Sequence, residues 1–260
     1  MAAEDYCYDP VIATKVINTS HILDFTFPPE SGKKFPDVIH LVGGIIPTPE
    51  KDKDVLYAHG YIPECVASRI PSHSGGGLPV TITASKAFSY YCGYTPFAHG
   101  FTFKSAVING TATLLPYDGT SHCKEEVTEE DIKKNEKVYA LYNIVEGMLP
   151  GEWENTRHPF KNEEVARVYV VRVDIDTKES HTHKRQDVFG YEADWETGTG
   201  KEYWEGAIPM WETYGSMIPG KTDKNLPCHL LRLFEQRNKD NKAEAEVEAK
   251  RPFVSSKTKV

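Results

Sequence analysis

The sequence predicts a mainly β fold, a closed or partly closed six-stranded barrel with peripheral helices. Three observations carry that expectation. Six segments are rich in β-branched and aromatic residues and are bounded by Gly, Pro or polar clusters. Three of them fall within the first 60 residues, so the early chain is a run of strands rather than an alternation of strands and helices. Helical periodicity is confined to fewer segments, and no internal repeat is present.

Taken in chain order, residues 1–20 form a polar N-terminal extension in which no helix is evident. Residues 21–27 are the first strand, stopped by Pro28-Pro29, which have no N–H to offer a ladder. Residues 37–46 are the second, and Gly43-Gly44 inside it marks a bulge or a close approach of backbone. Residues 55–59 are the third. Pro63 opens a short helix over 63–70 with Val66, Ala67 and Ile70 at helical spacing, and the turn 72–77 ends it. In residues 79–85, Val80, Ile82 and Ala84 alternate with Thr81, Thr83 and Ser85, a fourth strand with one apolar face. Residues 103–115 are a fifth, long enough to bend at Gly110.

From 128 to 149 the period changes. Thr128 caps an acidic start, and Val138, Leu141, Tyr142 and Val145 share one face of an amphipathic helix. Residues 165–175 are the sixth strand. Residues 184–227 hold three of the four tryptophans with little periodicity and read as an ordered, loop-rich cover. A helical turn or two is expected over 230–237, and 238–260 is a charged, flexible tail. One domain over 21–237 follows.

The chain has 260 residues, 39% hydrophobic and 11% aromatic, enough to close a core. Its net charge of −8 argues against nonspecific nucleic-acid binding, which draws its affinity from Lys and Arg on phosphates. No stretch approaches the run of about 18 apolar residues that a membrane helix requires. The start Met1-Ala2-Ala3-Glu4-Asp5 lacks a basic flank before an apolar segment, so a cytoplasmic protein without membrane or nucleic-acid partners is expected. Cys7, Cys65, Cys92, Cys123 and Cys228 form no CxxC pair and read as reduced thiols.

Several motifs fail in context. Residues 215–222 match GxxxxGK[ST] letter by letter, but the preceding stretch contains Glu212 and Asp223-Lys224-Asn225-Leu226-Pro227 cannot open a helix behind the loop. His181 and His183 fall on one side of an extended chain, yet Lys184-Arg185 would repel a cation, so no metal is expected. The GxSxG elbow is absent, and Cys92 has no base beside it in sequence.

The densest chemistry lies in two segments, Tyr57-Ala58-His59-Gly60 followed by Ser68-Arg69, and His99-Gly100-Phe101-Thr102-Phe103-Lys104-Ser105. Each sets an imidazole beside a glycine and ends with a hydroxyl beside a cation. A phosphate monoester requires that set, with backbone able to come close at glycine, and the intervening aromatic and aliphatic residues can cover a flat heterocycle. The other reading is a barrel strand with exposed polar edges.

The ordered set Tyr57-Ala58-His59-Gly60, Ser68-Arg69, Pro79-Val80-Thr81-Ile82-Thr83 and His99-x-x-Thr102-Phe103-Lys104-Ser105-Ala106-Val107-x-x-Gly110 resembles the flavin-nucleotide-binding split barrels related to pyridoxamine 5′-phosphate oxidase, in particular their nitroimidazole-resistance branch. Leu149-Pro150-Gly151-Glu152-Trp153 and Ile208-Pro209-Met210-Trp211 extend the likeness, which covers about residues 20–220. This chain has Thr102, Phe103 and Lys104 where that branch has asparagine, tyrosine and arginine.

The resemblance implies a six-stranded split β-barrel that dimerises and binds FMN at the subunit interface. By position, Val38, Ile39, His40 and Leu41 would lie along the flavin ring, and His59, Gly60, Ser68 and Arg69 would hold ribityl and phosphate. Thr102, Phe103, Lys104 and Ser105 would add phosphate or ring contacts, and Trp211 would approach from the partner subunit. The expected activity is that of an FMN-dependent oxidoreductase, in which NAD(P)H or another donor reduces the flavin and a small organic compound accepts the electrons. His99 and His40 are the candidates for proton delivery. The alternatives are a non-catalytic flavin carrier or sensor, and a haem-binding split barrel with His99 as axial ligand.

Overall fold

The computed structural model describes residues 7–71, 76–117, 126–127, 129–185, 188–190, 192–222, 224–250 and 253–255. The first five strands are β1 (Leu23–Phe27), β2 (Asp37–Pro47), β3 (Asp54–His59), β4 (Leu78–Cys92) and β5 (Gly100–Leu114). They are followed by β6 (Glu126–Val127), β7 (Phe160–Lys161), β8 (Val170–Ile175), β9 (His181–Arg185), β10 (Val188–Gly190), β11 (Gly206–Pro209) and β12 (Phe253–Ser255). The helices are α1 (Pro10–Thr19), α2 (Glu64–Ala67), α3 (Glu129–Lys134), α4 (Glu136–Met148), α5 (Glu152–Asn155), α6 (Asn162–Ala166), α7 (Glu192–Glu196) and α8 (Cys228–Ala249).

Six strands close on themselves. β1 pairs with β2, β2 with β3, β3 with β8, β8 with β5, β5 with β4 and β4 with β1, and the pairs of known register are antiparallel. Closure removes the free edges that an open sheet would present. The predicted barrel is therefore present. Its strands need period-2 side chains, and β1 shows them: Leu23, Phe25 and Phe27 are buried while Asp24 is exposed.

Compactness divides the chain into two units, Met1–Ser85 with Ser105–His183, and Lys86–Lys104 with Lys184–Val260. In the first unit the barrel core joins Leu23, Phe25, Phe27, Leu41, Ile82, Ile108 and Val173. A second cluster sets Val55, Tyr57 and Val170 against Ala140 and Ile144 of α4. β3 is thus buried on both faces, because Leu56 and Ala58 belong to the barrel core.

The N-terminal extension is in fact helical. Asp9 caps α1 by accepting from the N–H groups of Val11 and Ile12, and Pro10 sits in the first turn. Ala13, Val16 and Ile17 enter the barrel core, and the Asn18 side chain bonds both the N–H and the carbonyl of Ile45. The cap and the apolar spacing are visible in sequence; the intervening Lys15, Asn18 and Thr19 mask them.

The long helix predicted from 128 is two helices. Asn135 interrupts it and caps α4, its Oδ1 accepting from the N–H groups of Lys137 and Val138; Thr128 lies outside the described residues. The sixth strand begins at Val170 rather than 165, since Asn162–Ala166 is a helix that turns Val165 into a small cluster with Val138. β4 and β5 are longer than predicted, and α2 is shorter. At Gly43-Gly44 the ladder runs unbroken from Val42↔His59 to Pro47↔Asp54, so there is no bulge. Backbone proximity explains the glycine: a Cβ on Gly43 would stand 2.1 Å from the Tyr57 carbonyl oxygen.

In the second unit β11 pairs with the 89–92 end of β4. The helical turn or two expected over 230–237 is α8, 22 residues long, which replaces most of the expected flexible tail. Low apolar content hid it; Ala245 and Glu248 are its buried residues, and Lys242–Glu246 is an i,i+4 pair. Asn238 on α8 clasps the 211–220 segment through the N–H and carbonyl of Tyr214.

Candidate functional site

In the first unit, strand alternation sorts the 38–41 strip. Ile39 and Leu41 are core, so only Val38 and His40 present side chains to solvent. His40 Nδ1 lies 2.8 Å from Asp24 Oδ1 across the β1–β2 ladder, where the two residues are register partners. The carboxylate orients the ring through Nδ1 and leaves Nε2 outside that bond.

His59 ends β3 opposite Val42 and Val170. Alternation puts it on the Val55–Tyr57 face, the one that packs against α4. Its Nε2 is buried with no hydrogen-bond partner among the described residues, and desolvation lowers its pKa below the usual histidine value. Burial therefore favours the neutral ring in the folded protein. Gly60 follows with φ +154°, and a Cβ there would meet Leu41 Cδ2 at 3.0 Å.

A lowered folded-state pKa means that the unfolded chain takes up the proton first. Stability from His59 is present above the ordinary histidine pKa and is lost as pH falls from there toward the folded value, with a slope of at most about 1.4 kcal/mol per pH unit. His59→Leu should narrow the difference in melting temperature between pH 8 and pH 5.5. An unchanged gap would show that the imidazole is not buried.

The two cations expected to face a phosphate both have carboxylate partners. Arg69 Nη1 donates to Asp37 Oδ2 at 2.5 Å and Nη2 donates to the Pro28 carbonyl, so this cation already carries a carboxylate. Ser68 beside it is exposed and Ser105 is half-buried.

In the second unit Lys104 is likewise engaged, its Nζ 2.9 Å from Glu248 Oε1 and 5.0 Å from the Phe88 ring centroid. Thr102 is buried and bonds Ser89 at 2.7 Å; Phe103 is partly buried. Trp211 lies under Lys242, with Nζ 5.7 Å from its ring centroid. His99 is exposed, and its Nδ1 accepts from the Gly93 N–H at 3.2 Å. The 215–222 lookalike opens no helix, as α8 begins only at Cys228. Among the described residues no group of three His, Cys, Asp or Glu could hold a metal ion, and no helix is long and apolar enough to cross a membrane.

Sequence reading missed the partners: Asp24, Asp37, Glu244, Glu248 and the Tyr57–Glu136–Arg172 cluster. Glu136 Oε1 accepts from both Tyr57 Oη and Arg172 Nη1, each at 2.6 Å. Only the strand pairing of Asp24 with His40 had a local signal, since the two strands are neighbours in sequence.

A closed six-stranded antiparallel ring with peripheral helices is the split-barrel fold found among flavin-binding proteins. The FAD and haem binding protein from Mycobacterium smegmatis matches with TM-score 0.66 and 15% identity, over 88% of this chain and 97% of that one. The flavocytochrome Anf3 from Azotobacter vinelandii matches with TM-score 0.63 and 18% identity, over 88% and 92%. At these identities the likeness is one of fold. No protein-family model and no curated protein matches the chain.

Proposed function

We propose that this chain is a flavin-binding redox protein that would also hold haem, with His59 as the residue that would hold its iron. His59 carries the reading. Haem iron takes a neutral imidazole nitrogen, and His59 offers a nitrogen whose neutral form burial favours and which has no hydrogen-bond partner among the described residues. The names of the two similar structures, one giving FAD with haem and the other a flavocytochrome, support the same pair of cofactors. His59 is a better ligand than His99, which is exposed to competing water.

When bound, flavin and haem supply electron transfer to and from small organic compounds and single-electron exchange. The chain's residues bind, orient and move protons. Val38 gives an apolar contact on the outer strip, and His40, held by Asp24, exchanges a proton there through Nε2. Arg69 in the first unit and Lys104 in the second each already hold a carboxylate, and each would meet an anion only by giving it up. The reaction is electron transfer from NAD(P)H or another donor to a small oxidised organic compound, carried out by a homodimer.

Absorbance of the purified protein tests this. Flavin bands together with a Soret band are expected, and His59→Ala should lose the Soret band while keeping the flavin. A colourless protein, or a Soret band that survives His59→Ala, would sink the assignment. Consumption of NAD(P)H with a quinone or nitroaromatic acceptor then separates an oxidoreductase from a carrier.

A further inference from the structure

A constellation around Lys104 lies wholly within the second unit. Lys86 of β4 and Lys104 of β5 hold their Nζ atoms 5.7 and 5.0 Å from the centroid of one ring, that of Phe88. Phe88 is 3% exposed. Both ammonium groups are neutralised by the same helix: Lys86 Nζ lies 3.2 Å from Glu244 Oε2, and Lys104 Nζ lies 2.9 Å from Glu248 Oε1. Four residues apart, the two glutamates share one face of α8.

Desolvated ion pairs gain little over apolar packing, because each charge loses its water. They do keep two cations charged and positioned against one aromatic ring. The last three turns of α8 bury only Ala245 and Glu248, so charge rather than apolar area holds this end of the helix down. A contact of that kind is open to competition from another anion.

We propose that Lys86, Phe88 and Lys104 form a binding site for a planar phosphate-bearing ligand, and that Glu244 and Glu248 fill it as internal anions until the ligand displaces α8. The proposal deepens the flavin reading and rests on it, a flavin nucleotide being a ligand of this class. Each phosphate charge replaces one carboxylate on one lysine, and the Phe88 ring provides the apolar surface that both lysines touch. A phosphate monoester dianion and a diphosphate both carry two charges, whereas unphosphorylated riboflavin carries none.

The test measures binding of FMN, FAD and riboflavin by flavin fluorescence, using full-length chain stripped of cofactor and its Glu244→Gln/Glu248→Gln variant. The variant should bind FMN or FAD about tenfold more tightly, the scale of a charge-assisted bond no longer contested. Whichever nucleotide gains more identifies the monoester or the diphosphate as the ligand. Riboflavin affinity should not change, and adding Lys86→Met/Lys104→Met should abolish the gain. The nucleotide should also speed amide hydrogen exchange over residues 238–249 of the unaltered protein. If the double variant fails to fold, Glu248→Gln alone decides, with a gain of about threefold.

Equal nucleotide affinity in the two proteins overturns the proposal and leaves the flavin reading standing. Failure of both proteins to bind any flavin nucleotide at micromolar concentration overturns both. An equal gain for riboflavin overturns the charge argument.

Discussion

A Gly43→Ala variant is expected to lose about 3 kcal/mol of stability and, in a chain of this length, to melt roughly 10 °C lower. The new Cβ would stand 2.1 Å from the Tyr57 carbonyl oxygen and 2.7 Å from Ala58 Cα, both backbone atoms of the neighbouring strand. A side chain could swing aside; a paired strand can move only by stretching its ladder. Gly43 faces Ala58 in that ladder, and the next rung holds Val42 opposite His59. The damage should therefore reach the imidazole, and the Soret band should weaken along with the melting temperature. Gly147→Ala is the control. Nothing lies within 4 Å of its Cβ and it sits inside α4, so it should be neutral or stabilise by about 0.5–1 kcal/mol. If Gly43→Ala melts with the unaltered protein, the β2–β3 spacing described here is wrong.

Glu136→Ala should be of similar severity, about 3 kcal/mol. One carboxylate oxygen accepts from the fully buried Tyr57 and from Arg172, and burial together with that bond raises the Tyr57 pKa well above the usual phenol value. Removing it strands a buried hydroxyl and half of a guanidinium whose Nε has no partner among the described residues. Asp174, 3.0 Å from Arg172 Nη2, still compensates part of the charge, which keeps the loss from being larger. The double variant Glu136→Ala/Arg172→Met should be more stable than the sum of the single losses predicts, because the second change removes the charge the first one orphaned. Additive losses in denaturant unfolding would mean that the two groups do not interact.

The barrel was legible because alternation is written into each strand. Leu23, Phe25 and Phe27, or Val80 and Ile82, announce a buried face without reference to the rest of the chain. The glycine pair in β2 was readable as a close approach, although sequence could not say which strand approached. Helices were harder. α1 has a proper cap but a short apolar face, and α8 has almost no apolar face to find, being held at its end by glutamates on lysines.

The candidate site divides the same way. His59-Gly60, Ser68-Arg69 and Lys104-Ser105 stood out by residue type, yet what those groups do depends on neighbours far along the chain. Asp37 answers Arg69 across 32 positions, and Glu248 answers Lys104 across 144. The sequence alone determined that this is a barrel of short alternating strands carrying imidazoles and cations beside glycines. Only the folded chain decided that both cations are already neutralised and that one imidazole is buried with a nitrogen unpartnered. The physical reason is range: strand periodicity is a property of adjacent residues, whereas charge pairing and desolvation are set by whichever distant segments the closed fold brings together.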